Sequence, residues 1–267
     1  MHIKISAGSV YALCPAHYQL QMKGGRRMAN HPPKVLGILG GLGPMATVYF
    51  YELLTRHTQA VRDQDHIDVI INSRATTPDR TAYILGESTE NPFDIMAEDA
   101  ARLVTFGADI LAIPCNTAHY FYDRLNETIP LPILNMVEET VRTAQRGGCR
   151  KLGVLATTGT VQTGTYQRMC ARYGLGCAVP DAAAQQCVMD VIYGDVKQGR
   201  RADLNAFETA VRSLRAQGCD RAVLGCTELS LVKRDEGLDA FYLDSMEVLA
   251  KSAILAFGKT PVGLDEL

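Results

Sequence analysis

Across 267 residues, 47% of them apolar, 27 Lys and Arg side chains stand against 29 Asp and Glu, for a net charge of −2. Near-neutrality removes the electrostatic footprint that a nucleic-acid partner needs, and no run of about 18 apolar residues is present to span a bilayer. The length suits one large domain or two small ones, with a core that needs no crosslinks.

The first 33 residues are expected to form a mobile extension. Val10 to Ala16 is a short apolar stretch broken by Pro15, and Lys23, Arg26 and Arg27 follow it. A signal peptide carries its basic residues before the apolar segment, and Leu13 is too bulky for a lipoprotein processing site at Cys14. From Val35 onward short apolar runs alternate with helical patterns. Strand Val35 to Leu39 precedes a helix from about Pro44 to Ala60, then strand Ile67 to Ile71, a helix from about Phe93 to Phe106, strand Ile110 to Ile113, and helices after Thr117 and Asn135. The second half runs through strand Leu152 to Leu155, a helix from about Val161 to Tyr173, and strand Cys177 to Val179. Helices from about Ala182 to Tyr193 and Ala202 to Ala216 follow, then strand Ala222 to Leu224. Such alternation predicts an α/β fold with parallel sheets covered by helices.

Two segments recur. Lys34-Val-Leu-Gly-Ile-Leu resembles Lys151-Leu-Gly-Val-Leu, with Gly37 and Gly153 at an offset of 116. Gly107-Ala-Asp-Ile-Leu-Ala-Ile-Pro-Cys-Asn-Thr resembles Gly218-Cys-Asp-Arg-Ala-Val-Leu-Gly-Cys-Thr-Glu, with Cys115 and Cys226 at an offset of 111. Nearly equal offsets point to a duplication. Ligands of open parallel sheets bind beyond the carboxyl ends of the strands. If two such halves face each other about a pseudo-twofold axis, Cys115 and Cys226 approach one central cavity from opposite sides.

None of the eight cysteines belongs to a C-x-x-C pair, and without an export signal reduced thiols and a cytoplasmic protein are expected. The six histidines fall at no zinc-ligand spacing. Cys149, Cys170, Cys177, Cys187 and Cys219 read as buried small residues. A Cys115–His119 nucleophilic dyad is conceivable, but it leaves Cys226 unexplained. Two thiols in symmetric settings suit stereochemical inversion, one taking a proton from a carbon while the other delivers one to the opposite face. Each begins a strand-to-helix turn, where backbone N–H groups and the helix dipole favour a thiolate and a substrate carboxylate.

Four stretches carry a family resemblance: Gly40-Gly-Leu-Gly-Pro-Met-Ala-Thr47, Pro78-Asp-Arg-Thr-Ala-Tyr-Ile-Leu85, Pro114-Cys-Asn-Thr-Ala-His119 and Gly225-Cys-Thr-Glu-Leu229. From about Lys34 to Phe257 the chain resembles the cofactor-independent aspartate/glutamate racemase superfamily, its aspartate racemase branch above all. The resemblance implies two pseudo-symmetric doubly wound lobes with the active site in the cleft between them. Residues 34–134 with 245–258 would form the first lobe, 135–244 the second, and 259–267 a C-terminal tail. It makes Cys115 and Cys226 the two bases, with Asn116, Thr117 and Thr227 on the amino-acid head group and Leu42 of the glycine-rich turn passing close to the substrate. Arg80 and Lys197 fall at positions used for a distal carboxylate, and His119 and Glu228 are expected to tune or orient the thiols. No cofactor and no metal are implied; the partners are a small amino-acid substrate and a second copy of the chain in a homodimer, with no nucleic acid and no membrane.

Three rivals are weighed against this reading. Gly41-x-Gly43-x-x-Ala46 fits a dinucleotide fingerprint of an NAD(P)-dependent dehydrogenase. The second strand, however, ends in Asn72, Ser73 and Arg74, without the acidic residue that a nicotinamide ribose requires. A two-lobed binding protein without catalysis leaves the paired thiols idle. A related two-cysteine diacid isomerase shares both cysteines, and substrate chain length is not readable, because one methylene changes binding by only roughly 1–3 kcal/mol.

Overall fold

A computed structural model describes residues 34–264. The extension expected over residues 1–33 and the last three residues of the expected tail lie outside the described residues. The first half runs β1 (Val35–Gly40), α1 (Pro44–His57), β2 (Asp68–Ser73), α2 (Arg80–Ile84), α3 (Pro92–Thr105), β3 (Ile110–Ala112), α4 (Tyr122–Thr128), β4 (Ile133–Leu134) and α5 (Met136–Arg146). The second runs β5 (Lys151–Leu155), α6 (Thr158–Gln162), α7 (Thr165–Arg172), β6 (Gly176–Ala178), α8 (Ala182–Met189), α9 (Leu204–Ala216), β7 (Arg221–Leu224), α10 (Thr227–Glu236), β8 (Tyr242–Asp244) and α11 (Ser245–Ala256). Two parallel four-stranded sheets result, ordered β2-β1-β3-β4 and β6-β5-β7-β8. The two orders are the same topology written twice.

The repeated G-x-D segments have a common job. Asp109 Oδ2 accepts the backbone N–H groups of Lys34 and Val35 at 2.8 and 2.9 Å. Asp220 Oδ2 likewise accepts those of Arg150 and Lys151 at 2.7 and 2.8 Å. Each aspartate satisfies N–H groups at the start of the neighbouring strand that the ladder leaves open, which aligns that strand beside its own. Gly37 and Gly153 are equivalent in packing as well: a Cβ on Gly37 would lie 2.6 Å from Leu111 Cδ2, and one on Gly153 2.7 Å from Leu214 Cδ1.

Both sheets are apolar on both faces, as parallel sheets covered by helices must be. On the first sheet, α3 and α4 cover one face through Met96, Leu103 and Leu125. The other face is covered by α1 through Phe50, Leu53 and Leu54 and by α11 through Met246, Leu249, Ala253 and Ile254. On the second sheet, α8, α9 and α10 cover one face, and α5 and α7 the other through Val137, Val141, Ala144, Tyr166 and Cys170. The last helix of each half therefore packs on the sheet of the other half.

Three of the expected helices take a different form, and α2 and α11 were not expected. The one expected over 161–173 is two, because Gly164 takes φ +64° between α6 and α7. The one expected over 182–193 stops as an α-helix at Met189, continues as a π-helical turn over Asp190–Asp195, and ends in a 3₁₀ turn over Val196–Gln198. The segment after Cys115 opens as a 3₁₀ turn over Thr117–Phe121 before α4 begins. The seven cysteines among the described residues are all unpaired. No helix among the described residues is long and apolar enough to cross a membrane.

Candidate active site

In each sheet the order reverses between the first and third strands, β1 and β3 or β5 and β7, and the crevice beyond the carboxyl ends of such a strand pair is where open α/β sheets bind ligands. The turn through Leu42 follows β1 and Cys115 follows β3; Thr157 follows β5 and Cys226 follows β7. These segments meet. A single cavity is lined by Leu42, Asp79, Arg80, Thr81, Cys115, Asn116, Thr117, Thr157, Tyr193, Lys197, Cys226, Thr227 and Glu228. Its free volume is about 10 Å³, roughly the room one water needs, so in this conformation the site is closed to anything larger. A wider cavity of about 250 Å³ lies between His57, Arg221, Lys233 and Glu247, and there the Lys233 ammonium is already held 2.7 Å from Glu247.

Glu228, in the first turn of α10, organises one side of the site. Its Oε2 accepts the Cys226 thiol at 2.9 Å and the Thr227 hydroxyl at 3.3 Å, while its Oε1 lies 2.9 Å from Lys197 Nζ. Burial raises the Glu228 carboxyl, but Lys197 and the Cys226 hydrogen bond outweigh it, and the group falls below its ordinary value as an anion. Cys226 moves the opposite way: burial and then the Glu228 charge push its thiol well above the usual range, against a smaller opposing effect of Lys197. In the closed site Cys226 is thus a thiol donating to a carboxylate. Burial lowers Lys197, yet the charges around it, that of Glu228 first, raise it above its ordinary value. Lys197 was expected on a distal carboxylate; here its partner is Glu228, and its Nζ also lies 5.1 Å from the Tyr193 ring centre.

Arg80, the first residue of α2, is 8% exposed. Its Nη1 donates to the Thr77 and Pro78 carbonyls at 3.2 and 2.9 Å, and its Nη2 donates to the Leu42 carbonyl at 2.9 Å. Its Nε–H is buried without a partner. An orphaned guanidinium donor is costly, and Arg80 is one of the residues that line the cavity. Cys115 is buried beside Asn116, whose amide accepts from the Tyr166 hydroxyl and donates to Ser245 Oγ. Thr117 Oγ1 lies 3.1 and 3.0 Å from the Thr157 and Thr160 hydroxyls.

His119 does not line the cavity. Its Nε2 accepts the Met136 backbone N–H at 3.0 Å, so Nδ1 carries the proton and donates to the Cys115 carbonyl at 2.9 Å. Burial depresses the imidazole, and the ring is a neutral strut between the Cys115 turn and the start of α5. That geometry removes the conceivable Cys115–His119 dyad.

The glycine run that mimics a dinucleotide fingerprint is explained within the chain. Gly41 takes φ +81°, and a Cβ there would lie 2.3 to 2.6 Å from the backbone of Arg74; Gly40 packs as closely on Thr47. Among the described residues, no group of three His, Cys, Asp or Glu side chains is arranged to hold a metal ion. Asp79, Thr81, Thr157 and Tyr193 also line the cavity, although sequence reasoning did not single them out. Thr157 carried a signal, since the offset of 116 takes Gly41 to Thr157. Tyr193 sits in the π-helical turn, a distortion that recurs at functional sites.

Residues 39–253 match the family model described as Asp/Glu/Hydantoin racemase. The chain is 27% identical over 227 residues to the broad specificity amino-acid racemase RacX of Bacillus subtilis, covering 84% of this chain and 98% of that one. Among solved structures, the Picrophilus torridus aspartate racemase superposes with a TM-score of 0.74 at 30% identity, over 88% of this chain and 100% of that one. The glutamate racemase isoform RacE1 of Bacillus anthracis shares the fold, with a TM-score of 0.56 at 17% identity over 85% and 82%. With two same-topology sheets meeting at their carboxyl ends and the family model spanning most of its length, the chain belongs to the Asp/Glu/hydantoin racemase family of amino-acid racemases.

Proposed function

We propose that this protein interconverts L- and D-aspartate by proton transfer between two opposed thiols, with neither pyridoxal phosphate nor metal. One cysteine, as thiolate, takes the α-hydrogen as a proton, and the electron pair left on the α-carbon delocalises into the α-carboxylate. The other, as thiol, gives a proton to the opposite face. One S–H bond forms and one breaks, so the pair ends with its protonation exchanged, ready for the reverse reaction. Cys226, hydrogen-bonded to Glu228 as a thiol, acts as the acid in the half-cycle in which Cys115 is the base. Arg80 takes the distal carboxylate through its open Nε–H; Asn116, Thr117 and Thr227 hold the head group.

The reading rests on both motif cysteines lining one cavity, with a buried arginine beside them whose Nε–H has no partner. It is tested by chiral assay of each common amino acid in heavy water. The expected product is D-aspartate labelled at the α-carbon, from an activity that survives a chelator and a carbonyl reagent. Cys115→Ser and Cys226→Ser should each cut racemisation by roughly 10²–10⁴, the scale of an acid–base group. Each should still exchange the α-hydrogen of one enantiomer, opposite for the two variants, while Cys177→Ser stays active. Racemisation retained in both variants, or exchange on the same enantiomer in both, overturns the two-base site.

A broader substrate range is a second reading, favoured by one observation: Lys197 is already paired with Glu228, which leaves Arg80 as the cavity-lining cation for a distal carboxylate. The Bacillus subtilis relative is named a broad specificity racemase. The same assay decides, through turnover of neutral or basic amino acids at rates near that of aspartate.

A further inference from the structure

Directly behind the cavity a chain of buried hydrogen bonds runs from one thiol-bearing turn to the other. The Tyr166 hydroxyl, from α7, donates to Asn116 Oδ1 at 2.6 Å. Asn116 Nδ2 donates to Ser245 Oγ, at the start of α11, at 2.9 Å. Ser245 Oγ donates in turn to the Leu224 carbonyl of β7 at 2.7 Å. Asn116 adjoins Cys115, and Leu224 stands two residues before Cys226. Tyr166, Ser245 and Leu224 are fully buried and Asn116 is 2% exposed.

The direction of every bond is fixed. The Leu224 carbonyl can only accept, so Ser245 donates to it and accepts from Asn116 Nδ2. The Asn116 oxygen then faces Tyr166, whose phenol, kept protonated by burial, donates to it. Apolar side chains surround the Tyr166 ring in the core beneath the second sheet, where a phenylalanine would pack as well. A polar relay in such surroundings is costly unless every member is satisfied.

We propose that Tyr166 and Ser245 are positioning residues: with Asn116 they form a strut that sets the separation of Cys115 and Cys226. The proposal rests on the two-base reading for its meaning in catalysis. Proton removal needs one thiol at the α-carbon, whereas inversion needs both at once. A strut that slackens therefore harms inversion more than removal.

The test is Tyr166→Phe, with Ser245→Ala as a second variant and thermal melting to confirm that each is folded. In heavy water the unmodified protein should place deuterium mainly in the inverted product. In both variants the kcat for racemisation should fall at least about tenfold, within the scale of losses from small misplacements, with KM within about twofold. The ratio of deuterium in recovered substrate to deuterium in product should rise severalfold. A general loss of structure lowers both labels together, so an unchanged ratio in both folded variants overturns the strut. A second measurement needs no turnover: iodoacetamide labelling followed by peptide mass spectrometry. The strut requires Tyr166→Phe to change the alkylation rates of Cys115 and Cys226 together by at least about threefold, with Cys187 unaffected; no change at either thiol overturns it. If the unmodified protein exchanges no amino acid, the two-base reading fails while the alkylation rates still decide the strut.

Discussion

Glu228 carries three interactions on two oxygens, and its charge sets the state of everything it touches. Replacing it by glutamine keeps the shape and removes the charge. Because that charge adds to burial in holding the Cys226 thiol up, Glu228→Gln should make Cys226 easier to ionise. The pH profile of Cys226 alkylation should move to lower pH, read by mass spectrometry of the labelled peptide; movement to higher pH would mean that Glu228 acts on this thiol as a base and not as an opposing charge. Lys197, with a side chain 26% exposed, loses its counter-charge in the same variant. A cost of about 2 kcal/mol is expected in urea unfolding, between the small worth of a surface pair and the larger penalty of breaking a buried one. The pairing was not legible in the sequence, since Glu228 and Lys197 lie in separate segments and were expected in separate roles, Glu228 beside the thiols and Lys197 on a distal carboxylate. The two thiols were legible because a strand, a cysteine and a turn occur twice at nearly one spacing.

At the scale of elements, the strands of the first half were read from runs such as Val35 to Leu39, where parallel pairing buries both faces and leaves no polar alternation. Two short strands escaped notice: β4, whose two residues are too few for any period, and β8, which at three residues is no shorter than β3 and β6. The π-helical turn escaped for another reason. Its buried Val191 and Ile192 fall at regular helical spacing from the buried Ala184 and Val188 of α8, so the apolar pattern shows no break where the turn widens. Most of α11 is buried, so it lacks the polar face by which a helix is usually recognised. The turn after β1 supplies a quantitative check. Gly86 and Gly41 both have positive φ, but a Cβ on Gly86 meets open space whereas one on Gly41 overlaps the Arg74 backbone. Gly86→Ala should cost about 1–2 kcal/mol of left-handed strain. Gly41→Ala should cost about 3 kcal/mol or more, because steric overlap adds to strain; equal losses in urea unfolding would contradict the close approach.

Polar contacts also join the two halves across the site. Besides the Asn116–Tyr166 and Thr117–Thr157 pairs, the Tyr193 hydroxyl reaches Asp79 at 3.3 and 3.4 Å. These last bonds are long, and Tyr193 belongs to the π-helical turn. Removing them by Tyr193→Phe should favour the open state by roughly 0.5–1.5 kcal/mol, the worth of one hydrogen bond. Steady-state kinetics on aspartate should give a KM raised severalfold with kcat no lower, since opening and product release often limit turnover. A lower kcat at unchanged KM would instead put the hydroxyl in the chemistry.

The reciprocal packing of α5 and α11 has a consequence for biosynthesis. Strands β1 to β4 leave the ribosome early, yet one face of their sheet is closed by Met246, Leu249, Ala253 and Ile254, which are made more than a hundred residues later. A nascent first half is therefore an apolar surface awaiting its cover, although domains generally fold as units in order of synthesis. A stop codon just before Ser245 would leave both sheets intact in sequence and still strip the older one of its lid. Such a product is a client for chaperones and proteases, with its lesion at the opposite end of the chain from the core it exposes.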